Sequence, residues 1–275
     1  MQANVCPKAT VALSAAAVLL LIANCAAGAS DAGFQLDGDK VMLSTRGKEM
    51  APDHNSLVIA RAGRIRYRLT APLIEIAYRR DEIKIAGQPD LIVTDYAGGA
   101  HCCYTVHVIT LADRVQEDRI PIRDSELELD RSATPPCLRF HDFAFAYWNA
   151  AFADSPAPLL VLSWDRSLRR YQADIDAMRR PPPDDKTLSA WAQEVRAKLA
   201  EARSDRLDPA LWDHMLDLIY SGNALAARHF VDAVWPADRP GKRVFLAEFT
   251  SHLKSGELWR RYRLGNRLGA DAVFR

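Results

Sequence analysis

Hydrophobic and polar residues change places every second position through much of the chain before residue 179. The runs "SLVIA" and "RIRYRL" flank Ala62-Gly63, and "LIEIAY", "EIKI", "DLIVT", "YTVHVITL" and "ELELD" follow at short intervals. "FAFAYW", "PLLVLSW" and "YQADIDAM" complete the series. A period of two sends successive side chains to opposite faces of a strand, so each run predicts a β-strand. Connections this short join antiparallel neighbours, in a meander or in propeller-like hairpins, and leave no room for the helices of βαβ units.

The period then lengthens. Leu188, Trp191, Val195 and Leu199 recur at helical spacing, as do Leu211, Met215, Leu218 and Ile219. Ser221-Gly222-Asn223 ends the second of these helices, and Asn223 is placed to cap a third, "ALAARHFVDAVW", which stops at Pro236. "KRVFLAEFTSHL" is a fourth, ended by Ser255-Gly256. Between the two regimes stands "RRPPPDD", residues 179–185, whose three prolines lack amide donors and hold extended geometry. The pattern therefore predicts an α+β protein. A β-rich antiparallel domain over 30–178 and a proline-rich linker over 179–185 precede a small helical bundle over 186–275.

Two stretches suggest an internal duplication. "QPDLIVTD" (88–95) and "APLLVLSW" (157–164) align without gaps, and each is followed by a polar turn and a tyrosine-led strand, at Tyr104 and Tyr171. Repetition of hairpins in this manner occurs in propeller blades and stacked meanders.

The first residues address the compartment. Lys8 is the only charged residue before Asp31, and the apolar run Val11–Ile22 behind it has the length of a signal-peptide core. Ala27-Gly28-Ala29 fits the small-residue cleavage rule, so residues 1–29 are expected to be a Sec-type signal peptide and the mature chain periplasmic or secreted. A lipid anchor on Cys25 is the competing reading, but attachment wants a small residue before the cysteine and Asn24 is not one. The full chain has 36 basic and 35 acidic residues; losing Lys8 leaves 35 of each. Nucleic-acid binding and electrostatic adhesion to a membrane favour a basic excess, so neither is expected. After the leader no apolar run reaches the roughly twenty residues a transmembrane helix needs.

Candidate chemistry concentrates in "DYAGGAHCCYTVHVITL" (95–111). Gly98 and Gly99 can take the positive φ of a turn between two strands. Beyond the leader the cysteines are Cys102, Cys103 and Cys137. In an oxidising compartment a pair of cysteines forms a disulfide by default, so Cys137 is expected to bond Cys102 or Cys103 and leave one thiol over. The competing reading is a zinc or copper site, or a redox centre, built from His101, Cys103, Cys137 and His141, two imidazoles and two thiolates. No catalytic residue is assigned. The chain has no G-x-S-x-G, phosphate loop, dinucleotide fingerprint or H-E-x-x-H. Asp37-Gly38-Asp39 reads as a polar turn, because no further oxygen ligands for calcium follow it. The aromatic group Phe140, Phe143, Phe145, Tyr147 and Trp148 reads as core.

"PDLIVTDYAGGAHCCYTVHV", "SPAPLLVLSWD" and "DLIYSGNALAARHFVDAVWP" together resemble a group of exported proteobacterial proteins that carry a Gly-Gly-Ala-His-Cys-Cys motif and have no assigned activity. That resemblance implies export and nothing about a reaction. "G-x-P-D-L-x-V" is also similar to repeats of integrin-like propellers. The aspartate-rich calcium loop of those repeats is missing from "RRDEIKIAG", so calcium binding is not carried over. Taken together, the chain is expected to be an exported, disulfide-stapled, non-catalytic binding or structural protein with an unknown protein or small-molecule partner.

Overall fold

A computed structural model describes residues 30–46, 54–80, 87–99, 103–201 and 207–274. Among the described residues, twelve strands form three antiparallel sheets of four, and helices occupy the C-terminal part, a mixed α+β fold. The first sheet is the meander β1 (Ser30–Leu36), β2 (Asp39–Thr45), β3 (Asn55–Arg61) and β4 (Arg64–Ala71). Asp37-Gly38 and Ala62-Gly63 are its two-residue turns, and all four residues have positive φ, as the tight hairpin turns that match strand twist require. The Asp37–Asp39 segment is thus the expected polar turn.

The second sheet runs in the order β5 (Leu73–Arg79), β6 (Leu91–Tyr96), β7 (Tyr104–Leu111), β8 (Val115–Arg123). Strand β8 was absent from the sequence reading. Its residue Pro121 stands opposite Thr105 and cannot donate to a ladder, which a strand on the outer edge of a sheet tolerates. The expected strand "EIKI" (82–85) lies outside the described residues. Alternate residues of the two sheets meet in one buried cluster, with Val41, Leu57 and Ile59 from the first facing Ile74, Leu91, Val93 and Ile109 from the second. These inward positions carry the period of two seen in the sequence.

The third sheet has the order β12-β11-β10-β9, from β9 (Glu128–Asp130), β10 (Cys137–His141), β11 (Leu159–Asp165) and β12 (Arg170–Ala173). Two expectations are corrected here. "FAFAYW" is not a strand: Phe143–Phe145 form a 3-10 turn capped by Asp142, and Tyr147 and Asn149 take positive φ. "YQADIDAM" is a strand only to Ala173, after which Asp174 caps the helical turn α1 (Ile175–Met178). The aligned stretches 88–95 and 157–164 also occupy different places, since β6 is second in its meander and β11 third.

The helices are α2 (Asp185–Glu201), α3 (Ala210–Tyr220), α4 (Ala224–Val234) and α5 (Lys242–Ser255). Three short ones follow, α6 (Glu257–Arg261), α7 (Leu264–Arg267) and α8 (Ala270–Val273). The predicted stripes face inward, with Val195, Leu199, Leu211, Met215, Leu218 and Ile219 all buried. Asn223 does occupy the position before α4, but its side chain makes no capping bond. Its amide donates instead to the carbonyls of Arg180 and Ser221.

By contact density the chain divides into two compact units. One holds the described residues up to Asp124 together with 165–170; the other holds 125–164 and 171–274. The third sheet is therefore grouped with the helices, and the division falls at 124–125 rather than at the proline-rich 179–185. Among the described residues no helix is long and apolar enough to cross a membrane.

Candidate functional site

The motif that singled itself out in sequence sits on the β6–β7 connection. Gly98 and Gly99 have φ of +87° and +120°, the freedom the turn was expected to use. The Ala97 amide donates to the Cys103 carbonyl at 3.2 Å and closes the hairpin. His101 and Cys102 lie outside the described residues. Cys103 is exposed just ahead of β7, and Cys137 opens β10 at 1% exposure. They are two of the cysteines named for the expected staple, which would leave neither sulfur as a thiolate ligand or nucleophile. His141 is exposed on β10, its Nδ1 2.6 Å from the Ala157 carbonyl oxygen. A carbonyl only accepts, so Nδ1 carries the proton. Among the described residues no three His, Cys, Asp or Glu side chains are grouped to hold a metal ion.

A different histidine has the more developed chemistry. His107 of β7 is fully buried, on the face of the second sheet that meets the first. The register sets Val93 and Arg119 beside it, which places Asp95 of β6 and Glu117 of β8 at the two diagonals of the same face. Its Nδ1 lies 2.6 Å from Glu117 Oε1, and Nε2 3.1 Å from Asp95 Oδ1. Tyr67 of β4 donates its hydroxyl to the same Glu117 oxygen at 2.7 Å. Burial works against a charged imidazole, but contacts with Asp95 and Glu117 outweigh it, and the pKa of His107 is raised. Glu117 is lowered, chiefly by its bond to His107, and Tyr67 is raised by burial and by that carboxylate. Nδ1 is engaged by Glu117 at hydrogen-bond distance, and Nε2 faces Asp95 at ion-pair distance, so the ring is flanked by protein carboxylates on both sides. The quartet Asp95–His107–Glu117–Tyr67 links the two sheets through the Tyr67–Glu117 bond.

A concavity lies elsewhere, in the unit that carries the helices. A cleft of about 990 Å³ opens between the loop after the 3-10 turn and the segment joining α4 to α5. Asn149, Ala151 and Asp154 line one side, and Pro209, Trp235, Val244, Phe245 and Glu248 the other. Trp148 fixes the loop from beneath: its ring meets Trp212 edge-on at 5.2 Å and stacks on His252 at 5.5 Å. Its neighbours Tyr147 and Asn149 hold positive φ, a conformation that costs a non-glycine residue energy and persists only where packing imposes it. Trp235 keeps its indole N–H on the Arg239 carbonyl at 2.9 Å, and Arg239 donates to the Leu199 carbonyl at 2.7 Å. Val244, in the lining, is 57% exposed, so apolar surface stays open at this site.

The aromatic group read as core thus divides. Phe140 and Phe145 are buried, Phe143 and Trp148 half-buried, and Tyr147 projects. Sequence reasoning also missed the quartet, although it had a signal: alternation places His107 on the inward face of β7 together with Ile109. Comparison with protein-family models, with curated proteins and with solved structures gave no match.

Proposed function

We propose that this chain is an exported, non-catalytic binding protein whose ligand occupies the Trp235–Phe245 cleft. The cleft carries the reading. Its volume of about 990 Å³ falls in the range of small-ligand sites, and aromatic and aliphatic walls with a few charged groups are what such sites use. Passive binding fits the rest of the chemistry, because the buried imidazole is flanked by carboxylates and Cys103 and Cys137 serve in this reading as a staple. Export is supported by Lys8, the apolar core Val11–Ile22 and the Ala27-Gly28-Ala29 segment. We take Cys103 and Cys137 to be bonded to each other as a staple, with Cys102 as the remaining thiol.

The test is a ligand screen by thermal shift on the purified chain and on Val244→Arg, a substitution at an exposed position. A ligand that binds only the folded state raises Tm as its concentration rises above Kd. We expect compounds that shift the wild-type chain, lose the shift in Val244→Arg, and are recovered chemically unchanged. A variant that keeps every shift removes the cleft as the site, and a ligand recovered transformed removes the non-catalytic reading.

A further inference from the structure

A second groove, on the other side of α5, has a different character. On α5 Lys242, Leu246 and Lys254 belong to one row at helical spacing, and Arg243 and Ala247 to the next. Arg228 and Asp232, one turn apart on α4, stand across from them, and Phe274 closes the groove, which encloses about 680 Å³. From Lys242 to Lys254 the row is about 18 Å long at the helical rise of 1.5 Å per residue.

The charges do not balance. Asp232 is the only acid among the lining residues, and it already faces Lys242 Nζ at 2.7 Å and Arg228 Nε at 3.4 Å. Those contacts hold its carboxyl below the usual carboxylate range. Lys254 donates to the Phe274 carbonyl at 3.1 Å, which commits the far end. Arg243 adds an exposed cation at the near end. The first turn of α5 contains no acidic residue and two cations, the reverse of what a helix dipole favours. A negative group beside Lys242 and Arg243 would relieve both excesses, while Leu246, Ala247 and Phe274 offer methylene contact behind it.

We propose that this groove binds an alkyl chain ending in an anionic headgroup, the head against Arg243 and Lys242 and the chain along α5. The site is separate from the cleft, since Val244 and Phe245 point their row of α5 the other way.

Isothermal titration of the purified chain with dodecanoate, below the concentration at which it forms micelles, tests the assignment. Saturable binding to one site is expected, with decanoate weaker by about tenfold for the two lost methylenes. Acetate and dodecyl maltoside are expected to bind far more weakly, because each lacks half of the recognition. Charge reversal by Arg243→Glu at an exposed position should weaken dodecanoate by about tenfold, and added salt should weaken it further. Ala247→Trp should block the groove, and Val244→Arg should leave dodecanoate binding unchanged. The proposal is overturned by absence of dodecanoate binding, by equal binding of dodecyl maltoside or acetate, or by an Arg243→Glu affinity within about twofold of wild type. It is also overturned if a short oligoglutamate binds more tightly than dodecanoate, or if Val244→Arg rather than Ala247→Trp abolishes the signal.

Discussion

His107 shows how one residue can set the pH range in which a unit is most stable. Its folded pKa lies above 6.5, so its contribution is complete below 6.5 and is lost as pH rises through the folded value. Glu117 has the opposite sense. Its folded pKa lies below 4.5, so its contribution is complete above 4.5 and is lost as pH falls through the folded value. The quartet therefore stabilises most between these limits. His107→Gln removes the imidazole between two carboxylates, with an expected loss of about 3–5 kcal/mol at pH 6 in urea unfolding. Because the variant lacks the titrating ring, its deficit relative to wild type should shrink as pH is raised well above neutrality. A deficit independent of pH would mean the ring serves by shape alone.

At the scale of elements, the join between β10 and the helices rests on a bond that joins distant parts of the sequence. Asp142 accepts from the Ala144 amide with one oxygen and from the Tyr220 hydroxyl at 2.7 Å with the other. Both residues are buried, and Tyr220 is pushed well above the ordinary phenol range by burial and by that carboxylate. Tyr220→Phe keeps the ring contact with Trp259 but removes a hydrogen bond to a buried carboxylate, which should cost about 1–3 kcal/mol in equilibrium unfolding. A loss under about 0.5 kcal/mol would show that water replaces the hydroxyl. The same region shows where sequence reasoning stopped. Strands such as β3 and β7 were legible because one clean period ran between turn signals. "FAFAYW" imitates that period, yet a local cap at Asp142 and left-handed residues at Tyr147 and Asn149 override it. Strand β8 was hidden by Pro121, and α6, α7 and α8 are too short for a helical period to register. The cleft was not legible at all, because its two walls lie some eighty positions apart and neither contains a motif.

For the molecule as a whole, the compact units do not follow the change in hydrophobic period, since the third sheet is counted with the helices. Composition reports local structure, whereas unit boundaries depend on pairings between distant segments. Under non-reducing, denaturing conditions the mature chain should contain one free thiol, Cys102, and one disulfide. Cys137→Ala should lower stability by about 3–4 kcal/mol if the proposed link to Cys103 closes the loop of about 35 residues between them. Three reactive thiols in freshly isolated protein would remove the staple. Unfolding followed by tryptophan fluorescence and by far-ultraviolet circular dichroism would show whether the two units lose structure together.

Pro121 bears on how copies of this protein behave when crowded. The outer margin of the second sheet runs along β8, which carries Pro121 and, just before it, the charged residues Glu117, Asp118 and Arg119. A neighbouring copy seeking to extend that sheet would find a missing donor and charges to desolvate, so lateral stacking into fibres is discouraged at this margin.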